Sequence, residues 1–339
     1  MTTVTASPTT LGTAAAERLR RRRLIVVFIG MGLVPVLFIL PQFLSNAYQI
    51  KIATDTLVYM GLGVSWALFS GYSGYISFGH AAFFGLGAYV TGLGTQRHGL
   101  GLIAGLGLAF VIVGIAALLV GLLTLRLKGH YFAIATLGIA EAARALVEWG
   151  RSYTHGTFGF AMPIEIVSRA PTTKYYVVAA ALVAVTVVGL GMIWSSYGLR
   201  LIAIREDELA VEALGIRSAL SKIGALGISG AFTGLFGGLF AWGQGFLTPE
   251  AVFATRWSLE PIVMSTVGGM GTLVGPLVGG MFFYLVPEFL IENEIFLQRR
   301  DELYLVMLGV MLILVTLFAK RGIFGILERS RFWPKGFRL

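Results

Sequence analysis

From Leu24 to Leu44 the chain runs 21 residues without a charge, directly after Arg18, Arg20, Arg21, Arg22 and Arg23. A helix needs about 20 apolar residues to cross a hydrocarbon core of ~30 Å. Signal-peptide cores are only about 7–15 residues long, so the run is read as an uncleaved anchor. Further apolar stretches follow at 52–70, 78–95, 101–125, 130–149, 174–195, 223–243, 259–290 and 303–319. With 56% hydrophobic and only 13% charged residues, against about 25% charged in a soluble domain, the chain is excluded from being a water-soluble enzyme of this size. The fold class expected is all-α, a polytopic integral membrane protein with about ten transmembrane segments, some broken or re-entrant.

Charge sets the expected orientation. The net charge is +9, and the basic residues flank apolar runs, with Lys320, Arg321, Arg329, Arg331, Lys335 and Arg338 after the last. Clusters so placed read as cytoplasmic anchors, and no soluble basic face with interleaved aromatics exists to bind nucleic acid. With the N-terminus inside, the inner segments carry 17 Lys and Arg and the outer ones eight. Parity then requires 259–290 to cross twice or form a re-entrant hairpin; two passes are preferred. The domain reading is a cytoplasmic tail at 1–23, a permease domain at 24–320 with a cytoplasmic loop at 197–222, and a cytoplasmic tail at 321–339.

Glycine spacing has two readings. Gly101/Gly105, Gly234/Gly238 and the row Gly271, Gly275, Gly279 place small residues four apart, a device that lets helix backbones approach closely. The stretches Gly79–Gly87 and 268–276 are denser than packing needs, and Gly/Pro interruptions in apolar segments point to discontinuous helices lining a path. Gly268, Gly269 and Gly271 are therefore candidates for a translocation path.

Catalytic constellations are scarce. None of the six lysines precedes Ser or Thr, so there is no G-x-x-x-x-G-K-[ST] phosphate loop. The four histidines lack metal-ligand spacing, no G-x-S-x-G elbow occurs, and zero cysteines exclude thiolate sites. No cofactor or metal is expected. Ionisable groups within spans cost at least ~2.5 kcal/mol at mid-helix, which singles out Glu141 and Arg144. One turn apart, they can pair, either to tie helices together or to edge a polar path. His80 reads as a satisfied interior histidine or a path residue, and Glu260 and Glu288 as groups near helix ends.

The sharpest feature is the loop Arg200–Lys222. Arg205, Glu206, Asp207, Glu208 and Glu212 precede Gly215, and helical spacing groups Leu209, Glu212, Ala213 and Ile216 on one face. The spacing predicts a short amphipathic helix over 205–215 closed by Gly215. Helices that lie on lipid usually carry Lys/Arg on the polar face, so this acidic composition favours a protein partner over the membrane surface.

Four ordered motifs then carry a resemblance. They are Gly71-Tyr72-Ser73-Gly74-Tyr75-Ile76-Ser77-Phe78-Gly79-His80 onward to Tyr89, LRLKGHYFAIATLGIAEAARAL at 125–146, AIREDELAVEALGI at 203–216 and VGGMGTLVGPLVGG at 267–280. Across residues 50–328 the chain resembles the membrane subunits of bacterial branched-chain amino acid ABC importers, the LivM type. The resemblance implies that 203–216 docks into separate cytoplasmic ATPase subunits, that a sister permease completes the pore, and that a periplasmic binding protein delivers substrate. It also places Glu141 and Arg144 on the family's Glu-x-x-Arg positions. One departure is Thr154-His155-Gly156-Thr157-Phe158-Gly159, where the family commonly has Thr-Gly-Gly-x-x-Gly. Urea, amide and aromatic-acid importers share the superfamily, so the solute stays open. An ion-coupled secondary transporter using Glu141, His80 and Asp55, or a passive channel for a small neutral solute, are the rival readings.

Overall fold

The computed structural model describes residues 35, 37–44, 46–167, 170–291, 306, 309 and 310. The expected terminal tails, most of the run 24–44 and most of the span 303–319 lie outside these. Ten helices organise the rest: α1 (Ala47–Trp66, prolonged by a π turn at Ala67–Gly71), α2 (His80–His98), α3 (Leu102–Thr124), α4 (His130–Trp149), α5 (Pro171–Trp194), α6 (Ser196–Glu206), α7 (Glu208–Ala213), α8 (Ser218–Gly243), α9 (Arg256–Gly268) and α10 (Val274–Ile291). Single-turn helices join some of them, and a two-residue antiparallel pair ties β1 (Phe160–Ala161) to β2 (Phe246–Leu247).

Among the described residues four helices are long and apolar enough to cross a membrane: α1 with its π turn, α3, α5 and α8. Helices α2 and α4 have 19 and 20 residues, about 30 Å at 1.5 Å per residue, but a more polar composition. The stretch 259–290 forms two helices, α9 and α10, joined by a turn in which Gly269 and Gly271 take φ of +124° and +82°. A side chain would strain both positions. The expected break at 268–276 is therefore present.

The break expected within Gly79–Gly87 is displaced. Residues 74–78 are non-helical, and α2 is continuous from His80 onward. The glycines of α2 serve contact instead. A Cβ on Gly87 would overlap the carbonyl of Gly234, and one on Gly85 would lie 2.5 Å from the Phe253 ring. Gly234 and Gly238 of α8 press against Val113 of α3 and Thr91 of α2 respectively, as their spacing predicts. Gly101 has open space around it and Gly105 only ordinary contact with Thr91 and Thr95, so that pair allows no close approach.

The core sits where α8 passes between α2 and α3, with Phe83, Val113, Ala117, Leu226 and Phe236 buried. A second apolar cluster joins Leu62, Phe84 and Trp257, the last two rings stacked at 4.0 Å.

Candidate functional site

The acidic stretch 200–222 forms one end of the bundle, and it is two helices rather than one. Asp207 leaves the helical region at φ −156°, ψ 102°. Its carboxylate accepts the Ala210 N–H at 3.0 Å. An Asp that caps a new helix supplies an acceptor for otherwise orphaned amides, which is why α6 stops at Glu206 and α7 starts at Glu208. Gly215 closes α7 at φ +81°, as expected of a C-terminal glycine.

The faces also differ from the expected ones. Val211 points inward and is 5% exposed, whereas Leu209 and Leu214 are 68% and 80% exposed. Glu206, Asp207, Glu212 and Gly215 are exposed beside them. The free surface of α7 thus alternates carboxylates with uncovered leucines.

Glu208 and Arg205 turn toward the bundle. Glu208 accepts from Tyr75 Oη at 2.6 Å, Ser218 Oγ at 2.8 Å and Lys222 Nζ at 2.6 Å. Lys222, 1% exposed, also lies 4.1 Å above the Tyr75 ring and donates to its hydroxyl at 3.1 Å. Burial pushes the Glu208 carboxyl up, but the hydrogen bonds from Lys222, Tyr75 and Ser218 outweigh it and leave its pKa below the usual carboxylate value. Ser218 also donates to Glu212. Arg205 donates from Nη1 to the Gly71 carbonyl at 3.2 Å. That oxygen lies at the C-terminal end of the α1 π turn, where carbonyls lack intrahelical partners and a cation is favoured. A Cβ on Gly74 would come within 2.6 Å of the Arg205 side chain, and one on Gly271 within 2.5 Å. The glycines of 71–74 and of the α9–α10 turn form a notch around one arginine. Sequence alone did not single out Tyr75, Ser218 or Lys222; a lysine at the N-terminal end of an apolar run, fourteen residues after an acid, was the available signal.

The remaining candidates separate. Arg144 does not pair with Glu141: it donates to Glu148 at 2.9 Å, and Glu141 accepts from Thr255 at 3.3 Å. Positions i−3 and i+4 both neighbour an arginine on a helix, and Thr255 takes Glu141. His80 is fully buried, with Nδ1 on Ser77 at 3.1 Å and Nε2 on Ser229 at 2.8 Å. Both nitrogens are engaged, which favours the interior reading over a path role. Gly268 belongs to a helix contact, since its Cβ would overlap the Gly275 carbonyl and that of Gly279 the Met264 carbonyl. Gly268, Gly269 and Gly271 together build a close-packed hairpin and its turn. Glu260 is fully buried rather than at an interface, and Glu288 accepts from Tyr48 at 2.9 Å. His155 adopts φ +63°, a left-handed conformation that glycine takes at little cost.

Residues 48–316 match the family described as branched-chain amino acid transport system / permease component. The chain is 28% identical over 316 residues to the high-affinity branched-chain amino acid transport system permease protein LivM of Salmonella typhimurium, covering 83% of this chain and 71% of that protein. Similarity to the LivM protein of Escherichia coli K12 is the same 28%, over 85% and 72% of the two chains. The autoinducer 2 import system permease protein LsrC of Escherichia coli strain HS is 24% identical over 85% of each. No solved structure matches.

Proposed function

Since the chain belongs to the branched-chain amino acid transport system permease family, it is the non-catalytic membrane component of an ABC importer, and we propose that it carries branched-chain amino acids or a related small polar solute inward across the bacterial inner membrane. Its LivM relatives are named for that substrate class and its LsrC relatives for autoinducer 2, so the solute is the finer part of the reading. Both termini and the 197–222 loop face the cytoplasm, in line with the basic-residue bias. A sister permease completes the path, two cytoplasmic ATPase subunits power it, and a periplasmic binding protein delivers the solute.

The observation that carries this reading is the free surface of α7. Leu209 and Leu214 stand uncovered between Glu206, Asp207 and Glu212, while Arg205 and Glu208 hold the helix from behind. Exposed leucines ringed by acids suit a protein groove. The helix then moves when the ATPase closes, and the two packings of the permease exchange. Glu141 and Arg144 on α4 face the path between the two permeases; a carboxylate at this depth is too costly to leave against lipid.

Because Glu208 faces inward, the docking test belongs on the outer residues. Leu214→Asp combined with Glu212→Lys is expected to reduce co-purification of the ATPase subunits at least tenfold while the permease still inserts. Wild-type co-purification and uptake by that variant would refute the docking role.

A further inference from the structure

The non-helical residues 74–78, between α1 and α2, join the acidic loop to the bundle, and the Tyr75 ring also packs edge-on against Phe132 of α4 at 5.5 Å. At the first end Tyr75 is gripped by Glu208 and Lys222. Gly74 packs under Arg205. At the second end several hydrogen bonds go into the bundle. The Ser77 carbonyl accepts from Trp66 Nε1 of α1 at 3.0 Å. The Phe78 N–H donates to Thr136 Oγ1 of α4 at 3.1 Å, and its carbonyl accepts from Ser258 Oγ of α9 at 2.5 Å. Ser77 Oγ meets His80, whose far nitrogen reaches Ser229 of α8, and Ser229 donates on to the Ser65 carbonyl at 2.6 Å.

Phe78 lies three positions after Tyr75, a reach of about 10 Å at ~3.3–3.6 Å per extended residue. A segment this short has little slack, and displacement at Tyr75 is passed on to Phe78. Thr136 lies five positions before Glu141 on α4, the helix carrying the proposed path residues.

We propose that residues 74–78 act as a strap that passes movement of α7 to α4, with Tyr75 as the point of attachment to the acidic loop and the Phe78–Thr136 hydrogen bond as the point of attachment to the path helix. Tyr75 and Thr136 are positioning residues that touch neither solute nor nucleotide. This rests on the reading that α7 contacts the ATPase subunits, and its test separates the two ideas.

The full importer with its binding protein is reconstituted in proteoliposomes carrying Tyr75→Phe, Thr136→Val, both together, or Thr136→Ser. Tyr75→Phe keeps the ring under Lys222 and removes only the hydroxyl. The ATPase subunits are expected to co-purify at the wild-type ratio in all four, because the outer face of α7 is untouched. Stimulation of ATP hydrolysis by the binding protein should fall at least fivefold in each of Tyr75→Phe and Thr136→Val and no further in the double variant, since both cut one link. Thr136→Ser, which keeps the acceptor, should restore it. A second readout uses the absence of cysteine in this chain. A single Ala142→Cys on the exposed face of α4 should change its labelling rate on trapping with ATP and vanadate, and lose that change when Tyr75→Phe is added. Wild-type stimulation in Tyr75→Phe, multiplicative losses in the double variant, or an unaltered labelling change overturns the strap. Failure of Leu214→Asp with Glu212→Lys to release the ATPases strikes the docking reading instead.

Discussion

Replacing Gly234 by alanine tests whether α3 and α8 are held together by glycine contact. A Cβ at Gly234 would lie 2.6 Å from Val113 Cβ and within 2.9 Å of both its methyl carbons. Carbon atoms rest at about 3.5–4.0 Å, so α3 and α8 must part by about 1 Å. Val113 is fully buried and its Cβ is fixed to the backbone, so no rotamer change clears the overlap. Overpacking of this kind costs about 1–3 kcal/mol, and the better helix propensity of alanine returns at most about 1 kcal/mol. Gly107→Ala, on the same α3, meets nothing within 4 Å and should gain only the propensity term. The propensity gain is common to both variants, so they differ by the overpacking cost of about 1–3 kcal/mol, a gap of roughly 1–4 °C for a chain of this size. The assay is loss of the monodisperse peak on heating the detergent-solubilised protein. Gly234→Ala melting level with or above Gly107→Ala would refute the contact argument.

Removing either partner of the inner ion pair should be unequal. Glu208→Gln leaves the fully enclosed Lys222 ammonium without a counter-charge and should cost about 3–5 kcal/mol, whereas Lys222→Met orphans a carboxylate that is 15% exposed and keeps two hydroxyl donors; melting of the two variants in detergent should rank in that order. Since Glu208 has a lowered pKa in the folded chain, its contribution is complete above the ordinary carboxylate value of about 4.3 and fades as pH falls through the lowered folded value. The melting difference between wild type and Glu208→Gln should hold steady from pH 8 to 5 and shrink only in stronger acid. His155→Gly should raise the melting temperature slightly, because relieving a left-handed residue is worth about 1–2 kcal/mol against a lost tilted contact with Phe160 at 5.8 Å and an exposed hydrogen bond with Arg97 at 3.4 Å; a lower melting temperature would show that these contacts together outweigh the strain.

Local pattern carried much of this architecture. The limits 130–149 coincide with α4, and the parity argument required 259–290 to turn back, by two passes or a re-entrant hairpin, as the break between α9 and α10 allows. The closing role of Gly215 and the close contact of Gly234 and Gly238 follow from spacing alone. What stayed hidden depends on residues far apart in the chain. Whether Glu208 points out to a partner or in to the bundle is decided by Tyr75, 133 positions earlier, and Lys222, 14 later. The Glu141–Arg144 pairing failed because Thr255, 114 positions away, offers Glu141 a donor. Asp207 was read as one acid among several, yet its capping of Ala210 splits the predicted helix. Glycine density alone does not say which glycines serve close backbone contact, as Gly85 and Gly87 do, and which take a left-handed turn, as Gly269 and Gly271 do.

The assignment of α4 to the path side rests on a contrast between two uncovered surfaces. On α3 the exposed large side chains are all aliphatic, among them Ile103, Val111, Ile115, Leu119, Leu122 and Leu123. That face can meet acyl chains at no electrostatic cost. On α4 the uncovered residues include Tyr131, Ile134, Glu141, Ala142, Ala145 and Trp149, with Glu141 eleven residues, about 16 Å, from His130. Thr255 supplies one hydrogen bond, and an ionised carboxylate accepts several. Against lipid the remaining demand would cost at least ~2.5 kcal/mol, whereas water or a second protein chain meets it. Ala142 and Ala145 on the same face let another backbone come close. This contrast supports the proposal that α3 faces lipid and α4 faces the path, in which case a link from the acidic loop to Thr136 reaches the helix on which opening and closing would be felt.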